Sequence, residues 1–111
     1  MTLTKSYVFS ASYSSGPRVI AHNYRLKASF DGLEEGAEPE LDKKIQSVLI
    51  QKIHSHDLGQ DVDFLRGRPL SDTSLLDAFW PLFTQIALPA RLISLSLERD
   101  ANTRWTLMAP R

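Results

Sequence analysis

Two stretches of alternating apolar and polar residues open the chain and predict two long β-strands. The first covers residues 3–13, and the second runs from about Arg18 to Asp31. Ser14-Ser15-Gly16-Pro17 lies between them, where glycine and proline favour a turn. The sequence therefore predicts a hairpin. One face of its second strand is apolar apart from a single histidine: Ile20, His22, Tyr24, Leu26, Ala28 and Phe30.

Two later segments have apolar residues at helical spacing. The first predicted helix runs from about Pro39 to His54, and proline suits its first turn because no N–H is needed there. Its expected buried stripe is Leu41, Ile45, Val48, Leu49 and Ile53. The second helix begins at Ser71 or Asp72, since either side chain can cap a free backbone amide. Pro81 should kink this helix and Pro89 should end it.

The end of the chain predicts a second hairpin. Its strands are Arg91 to Arg99 and Thr103 to Met108, which alternate on either side of a turn at Ala101-Asn102. Between the helices, Gln60 to Leu70 has no clear period and predicts an irregular loop. The order β-β-α-α-β-β predicts an α+β fold, with two helices on one face of a four-stranded antiparallel sheet. The length of 111 residues predicts one domain, residues 1–111.

Composition excludes several classes of protein. Thirteen basic and 13 acidic residues give zero formal charge, and no basic patch indicates a nucleic-acid partner. No apolar run could cross a bilayer and no secretory signal opens the chain, so we expect no membrane partner and a cytoplasmic location. The absence of cysteine excludes thiolate chemistry. Long strands with open edges, in a chain of no net charge, predict a homo-oligomer.

Five short motifs, in their order along the chain, resemble the 6-pyruvoyl-tetrahydropterin synthase family, which includes the 6-carboxytetrahydropterin synthases. They are Phe9-Ser10-Ala11, His22-Asn23-Tyr24-Arg25-Leu26, Ile53 to Leu58, Ser71 to Trp80, and Leu95-Ser96-Leu97-Glu98. The resemblance covers nearly the whole chain. It implies the tunnelling fold, or T-fold, in which sheets of neighbouring subunits join into a β-barrel. It also implies a trimer or hexamer and carbon–oxygen lyase activity.

The resemblance implies a zinc site, but two of the three family ligands are replaced. The three histidine positions are Tyr13, Ile20 and His22 in this chain. Ile20 has no donor atom, and a phenol such as that of Tyr13 must lose a proton of pKa about 10 to bind zinc. The family's cysteine position is Gly16. We therefore expect no zinc cofactor, with His22 as a remnant ligand.

Other family positions supply candidates for catalysis and binding. The family's Asp-His pair corresponds to His54-Ser55, so His54 or His56 is a candidate catalytic residue if its position has shifted by one. The usual Thr-x-Glu-Asn motif reads Ser71-Asp72-Thr73-Ser74. Glu98 corresponds to the glutamate that anchors the pterin ring. A carboxylate can accept two hydrogen bonds from adjacent N–H and amino groups without any metal.

These residues leave three functions open. The first is a family member that has lost most zinc and catalytic residues but still binds a pterin-like ring through Glu98. The second is an active lyase with a rearranged metal site or none, and the third is a structural subunit, for example one paired with a complete synthase. Each candidate also has an ordinary interpretation: His22 as a hydrogen-bonded inward residue, His54 and His56 as helix-terminal residues, and Glu98 as a solvated charge.

Overall fold

The computed structural model describes residues 2–15, 17–58, 62, 65 and 70–110. Its elements follow the predicted order with one short addition. They are β1 (Thr2–Ser15), β2 (Arg18–Asp31), α1 (Glu38–Ile45), a π-helical turn (Gln46–Ile50), α2 (Gln51–Ile53), β3 (His56–Asp57), α3 (Asp72–Ala87), β4 (Arg91–Asp100) and β5 (Thr103–Met108). The first predicted helix is thus one continuous helical run made of α1, the π-helical turn and α2.

The strands form a five-stranded sheet in the order β3-β1-β2-β4-β5, so the prediction of four strands missed one. The additional strand, β3, pairs in parallel with Ala11 and Ser12 of β1. The other three strand pairs are antiparallel, as predicted. A strand of two residues leaves no periodic signal, because alternation becomes visible only over about four residues or more.

The β1–β2 hairpin separates an apolar face from a polar face. Its register pairs Tyr13 with Ile20 and Phe9 with Tyr24, and it continues without interruption to Thr2 and Asp31. The apolar face packs into the core through Tyr7, Phe9, Ala11, Tyr13, Tyr24, Leu26, Ala28 and Phe30. The other face is mostly serine, threonine and charged residues, with Val8 and Val19 exposed on it. The predicted alternation is therefore confirmed.

The helices complete the core against this apolar face. Phe79 of α3 meets Phe9 edge-on, with ring centroids 6.4 Å apart, and Phe83 stacks on Phe30 at 6.5 Å. The helical run from residue 38 to residue 53 adds Leu41, Ile45, Leu49, Ile50 and Ile53 to the same cluster. Both helical elements thus contribute to one continuous hydrophobic core.

The π-helical turn explains the one departure from the predicted buried stripe. Val48 was expected inside but is 37% exposed, whereas Ile50 is buried at 6% exposure. In a π-helix each N–H bonds to the carbonyl five residues back rather than four. The wider winding over Gln46–Ile50 therefore turns Val48 away from the core and brings Ile50 into it, and a uniform helical period assigns Val48 wrongly.

Helix α3 agrees closely with the sequence. Ser71 is its N-cap, and Ser71 and Ser74 form reciprocal hydrogen bonds in a capping box. The helix continues through Pro81, which lies on the exposed side, and ends at Ala87. No helix among the described residues is long and apolar enough to cross a membrane.

The loop predicted from Gln60 to Leu70 lies mostly outside the described residues. Val62, Leu65 and Leu70 are the described parts of it. Val62 and Leu65 are buried, and Leu70 packs against the core at its edge. The segment therefore contributes apolar side chains to the core.

A polar link joins β1 to α1 at the margin of the core. The Tyr7 hydroxyl donates to Asp42 Oδ1 at 2.8 Å, and Lys5 Nζ lies 3.0 Å from Glu38 Oε1 and 3.6 Å from Asp42 Oδ1. Burial, and next the hydrogen bond to Asp42, raise the pKa of the Tyr7 phenol far above its usual value. Tyr7 therefore stays a neutral donor at any physiological pH.

Replacing Tyr7 with phenylalanine should lower the free energy of unfolding by about 1.5 kcal/mol, because a hydrogen bond to a charged acceptor is lost. Urea denaturation followed by circular dichroism measures this change. In an Asp42→Asn background the same substitution should cost less, about 0.5 kcal/mol, since the acceptor is then neutral. An equal cost in both backgrounds would contradict the assigned contact.

Candidate functional site

The β1–β2 register brings three predicted site residues together on the helix-facing side of the sheet. Tyr13 lies directly opposite Ile20, and His22 follows Ile20 on the same face, opposite Ala11. Directly opposed residues have Cβ atoms about 4.5–5.5 Å apart, and diagonal ones about 7–8 Å. The three positions therefore have the spacing of a facial metal site, whatever side chains they carry.

Tyr13 belongs to a buried polar cluster that also contains Tyr24, Asp72 and Arg99. Asp72, the first residue of α3, is only 8% exposed, and its Oδ2 lies 3.5 Å from Arg99 Nη1. Burial is the main cause that raises the pKa of the Tyr13 phenol, and the Asp72 charge adds to it. Contacts with the Tyr24 hydroxyl and Arg99 offset part of this rise. The cluster joins the hairpin, α3 and β4.

Two oxygen atoms of this cluster are buried without a well-formed hydrogen bond among the described residues. They are Tyr24 Oη and Asp72 Oδ1. The Tyr24 and Tyr13 hydroxyls lie close enough to change each other's pKa, and burial raises the pKa of Tyr24 strongly. Both phenols are therefore neutral at physiological pH.

These side chains do not fit a zinc ion. Zinc binds nitrogen, sulfur or carboxylate donors, or a phenol only after it loses its proton. The raised pKa of Tyr13 makes that loss harder than for a free phenol, and Ile20 offers no donor. His22 is half-buried, with its ring 5.6 Å from the Tyr24 ring in an edge-on contact. The zinc-ligand positions thus hold aromatic packing and a polar cluster. Gly16, the family's cysteine position, lies outside the described residues.

His54 and His56 lie at the outer edge of β1. His54 Nδ1 accepts a hydrogen bond from the Ser10 backbone N–H at 3.0 Å. His56 Nδ1 lies 2.7 Å from the His54 carbonyl oxygen, so this nitrogen must donate. His54 Nδ1 therefore carries no proton in this contact, whereas His56 Nδ1 carries one. Any proton that His56 accepts must go to Nε2, and this makes His56 the better candidate for a general base.

His22 and His56 occupy one row of the sheet, with Ala11 between them. Ala11 pairs with His22 on one side and with His56 on the other. Strands lie about 4.8 Å apart, so the two histidine backbones are separated by about 10 Å. Within the part of the chain that the structure describes, no three histidine or acidic side chains come together as a metal site.

Glu98 lies on the opposite, polar face of the sheet, where it pairs with Arg25 of β2 and Arg104 of β5. Its side chain is 19% exposed, and Oε1 forms ion pairs with Lys27 Nζ at 3.3 Å and with Arg104 Nη2. Burial alone would raise the pKa of Glu98, but the contacts and charges of Lys27 and Arg104 outweigh it and lower the pKa. Glu98 is therefore ionised.

The ion pairs leave Glu98 Oε1 with unused hydrogen-bonding capacity. This oxygen is buried and meets no described donor at good hydrogen-bond geometry. Lys27 and Arg104 lower the pKa of Glu98 first by direct contact and second by their charges. A buried acceptor without a well-aligned donor is costly, and a ligand N–H group could satisfy it.

Two shallow depressions lie side by side along this part of the β1–β2 hairpin. One, of about 310 Å³, is bordered by Glu98, Arg25 and Asn23. The other, of about 340 Å³, is bordered by Asn23, Ser10, Ser12 and His56. Asn23 is common to both, so the two depressions adjoin each other between Glu98 and the edge of β1.

No motif in the sequence groups Tyr24, Asp72 and Arg99 with Tyr13. Asp72 was expected only as a helix cap, yet Ser71 takes that role and leaves Asp72 buried. Arg99 alternates with Glu98 on β4, so it faces the helices while Glu98 faces away. That alternation was the available signal, because a charged residue on the apolar side of a strand needs a partner.

Comparison with known proteins establishes the fold. No protein-family model and no curated protein sequence matches this chain. Among solved structures, Caenorhabditis elegans 6-pyruvoyl tetrahydropterin synthase superposes with a TM-score of 0.77 and 17% identity, covering 99% of this chain and 96% of that one. An uncharacterized protein from Wolinella succinogenes gives a TM-score of 0.67 and 9% identity, covering 99% and 98%. The predicted T-fold is therefore confirmed.

Restoring the two missing imidazoles should create a zinc site. The double variant Tyr13→His, Ile20→His should retain about one zinc per chain after dialysis, at least about 100-fold more tightly than wild type. Metal analysis by mass spectrometry measures this. The further substitution His22→Ala should abolish the retained zinc and serves as the control. Stoichiometric zinc in the wild-type protein would contradict the assignment.

Proposed function

We propose that this protein is a zinc-free T-fold subunit that binds a pterin-like ring through Glu98, in a cytoplasmic homo-oligomer. The observation that carries the proposal is the state of Glu98, an ionised and largely buried carboxylate with an acceptor atom that lacks a well-aligned donor. The likeness to a 6-pyruvoyl tetrahydropterin synthase suggests the ligand class. The proposal assigns no zinc-dependent step to this chain.

Independence from zinc follows from the donor set. Tyr13 is a phenol whose pKa is raised by burial, and Ile20 is a hydrocarbon. A single remaining imidazole, that of His22, cannot replace the three protein ligands that catalytic zinc requires. Since Glu98 lies on the other face of the sheet, its binding chemistry does not depend on those positions.

The surroundings of Glu98 suit a flat, polar heterocycle. The carboxylate can accept hydrogen bonds from a ring N–H and an adjacent amino group at once, which fixes both position and orientation. Arg104 is the more mobile neighbour, because its side chain is 56% exposed. A ligand can therefore replace the Arg104 contact at Oε1 while Lys27 keeps the carboxylate ionised.

Replacing Glu98 with glutamine should weaken binding of a reduced pterin by about 10- to 100-fold, because two charge-assisted hydrogen bonds are lost. Fluorescence titration of purified protein measures the affinity. Glu34→Gln, in the exposed loop before α1, is the matched control and should bind like wild type. Because the pKa of Glu98 is lowered, binding should persist from pH 8 to about pH 5 and weaken only as the carboxylate protonates below that.

The outcome of this titration separates the three functions left open by the sequence. Wild-type binding that Glu98→Gln reduces supports the proposal. Equal binding by both forms would place the ligand elsewhere. No binding by either form would leave the structural-subunit function, and turnover of the pterin with bound zinc would identify a working lyase.

Self-association is supported by the edges of the sheet. On its outer side β1 pairs with β3 only at Ala11 and Ser12, which leaves most of a 14-residue strand open among the described residues. At the other edge β5 pairs with β4, and Trp105 and Met108 on it are 46% and 66% exposed. Open edges of this length are templates for pairing with another copy.

Ser6→Pro should dissociate the oligomer without unfolding the subunit. The backbone N–H and C=O groups of Ser10 and Ser12 point to the outer edge, where residues 54–58 bond to them. Along an antiparallel strand, the direction of these groups alternates from one residue to the next. The Ser6 N–H therefore also points outward, away from β2. Proline removes this donor. Size-exclusion chromatography with light scattering should give a smaller particle for Ser6→Pro but not for Ser6→Ala. Equal masses would contradict assembly through this edge.

A further inference from the structure

A histidine ring holds residues 54–58 against the outer edge of β1. The Ser10 N–H donates to His54 Nδ1 at 3.0 Å, while the Ser10 carbonyl accepts from the Ser55 N–H at 2.5 Å. The Leu58 N–H then donates to the Ser12 carbonyl at 2.7 Å. An imidazole thus takes the place that a backbone carbonyl would occupy in an ordinary strand pair.

This contact requires His54 to be neutral. A neutral imidazole can accept at one nitrogen, but a protonated imidazole donates from both and accepts from neither. Protonation of Nδ1 would set an N–H against the Ser10 N–H, so the contact would change from attractive to repulsive. His56 differs, because its Nδ1 already donates to the His54 carbonyl and keeps doing so when the ring is charged.

Only the middle of the segment is free to respond, because Ile53 before it and Leu58 at its end are fully buried in the core. His54, Ser55 and His56 are exposed, and Ser55 adopts a left-handed backbone with φ of 61°. A non-glycine residue in that region is held there by its surroundings at a cost of roughly 1–3 kcal/mol. Exposed segments with few buried contacts open at low free energy.

We propose that protonation of His54 releases residues 54–56 from β1 while Leu58 stays anchored in the core, so that the protein carries a pH-dependent switch at this sheet edge. In the neutral state the segment covers the backbone of Ser10 and forms one wall of the 340 Å³ depression. In the protonated state the Ser10 backbone becomes free for pairing with another strand, and the depression loses the wall made by Ser55 and His56. The switch requires neither zinc nor a ligand at Glu98.

Four titratable groups among the described residues neighbour His54 in the chain or border the adjoining depression. They are Lys52 on α2, His56 and Asp57 on β3, and His22, whose residue borders the depression across β1. The facing β1 residues, Ser10 and Ser12, carry no charge. Lys52 and a charged His56 oppose protonation of His54, whereas Asp57 favours it.

Hydrogen–deuterium exchange tests the switch on the full chain. Peptides covering residues 8–14 and 54–58 are compared at pH 8 and pH 5, with labelling times corrected for the intrinsic exchange rate. Wild-type protection of the Ser10 and Ser55 amides in these peptides should fall at least about tenfold at pH 5, as expected for a lost hydrogen bond, while α3 peptides stay unchanged and report that the fold is intact.

Two variants distinguish His54 from its neighbour. His54→Phe cannot accept the Ser10 N–H, so the Ser10 and Ser55 amides should be unprotected at both pH values in this variant. His56→Gln keeps a donor and should retain the wild-type response to pH. The proposal is overturned if wild-type protection is the same at pH 8 and pH 5, if the response survives in His54→Phe, or if it disappears in His56→Gln while α3 remains protected.

Discussion

The continuous antiparallel register between β1 and β2 is the constraint on which the rest of the molecule depends. Because side chains alternate across a strand, a slip of one residue would exchange the two faces completely. The observed register puts Tyr13, Ile20 and His22 against the helices. Pairing of β4 with β2 then carries the same alternation to Arg99 and Glu98, which face opposite sides. One set of hydrogen bonds therefore decides the place of every candidate site residue.

On the helix-facing side, Tyr13 and Tyr24 lie beside Asp72 and Arg99 at the margin of the core. Asp72 and Arg99 are paired beside two phenols, and the charges of the pair balance within the cluster. A buried carboxylate is tolerated only where a cation or hydrogen-bond donors meet it, and Arg99 is the cation that meets Asp72. The cluster links β1, β2, α3 and β4.

The charges on the polar face are paired separately from those of the helix-facing cluster, because the sheet lies between the polar face and the core. Glu98 keeps its charge through Lys27 and Arg104, and no residue of the helix-facing cluster takes part in these ion pairs. The two faces can therefore differ independently, since chemistry resides in particular side chains rather than in the architecture. The edge of β1 adds a third element, where backbone groups of Ser10 and Ser12 are satisfied by the segment after α2.

The sequence by itself determined the alternation of the long strands, the two helical elements, the α+β order and the opposite facing of Glu98 and Leu97, because these follow from local periods of two and of 3.6 residues. Only the tertiary structure decided the rest. Three features have no periodic signature in the sequence. They are the two-residue strand at His56, the burial of Ile50 in place of Val48, and the proximity of Tyr13 to Asp72. They depend on contacts between residues distant in the chain, and on which backbone groups of β1 were left to be satisfied.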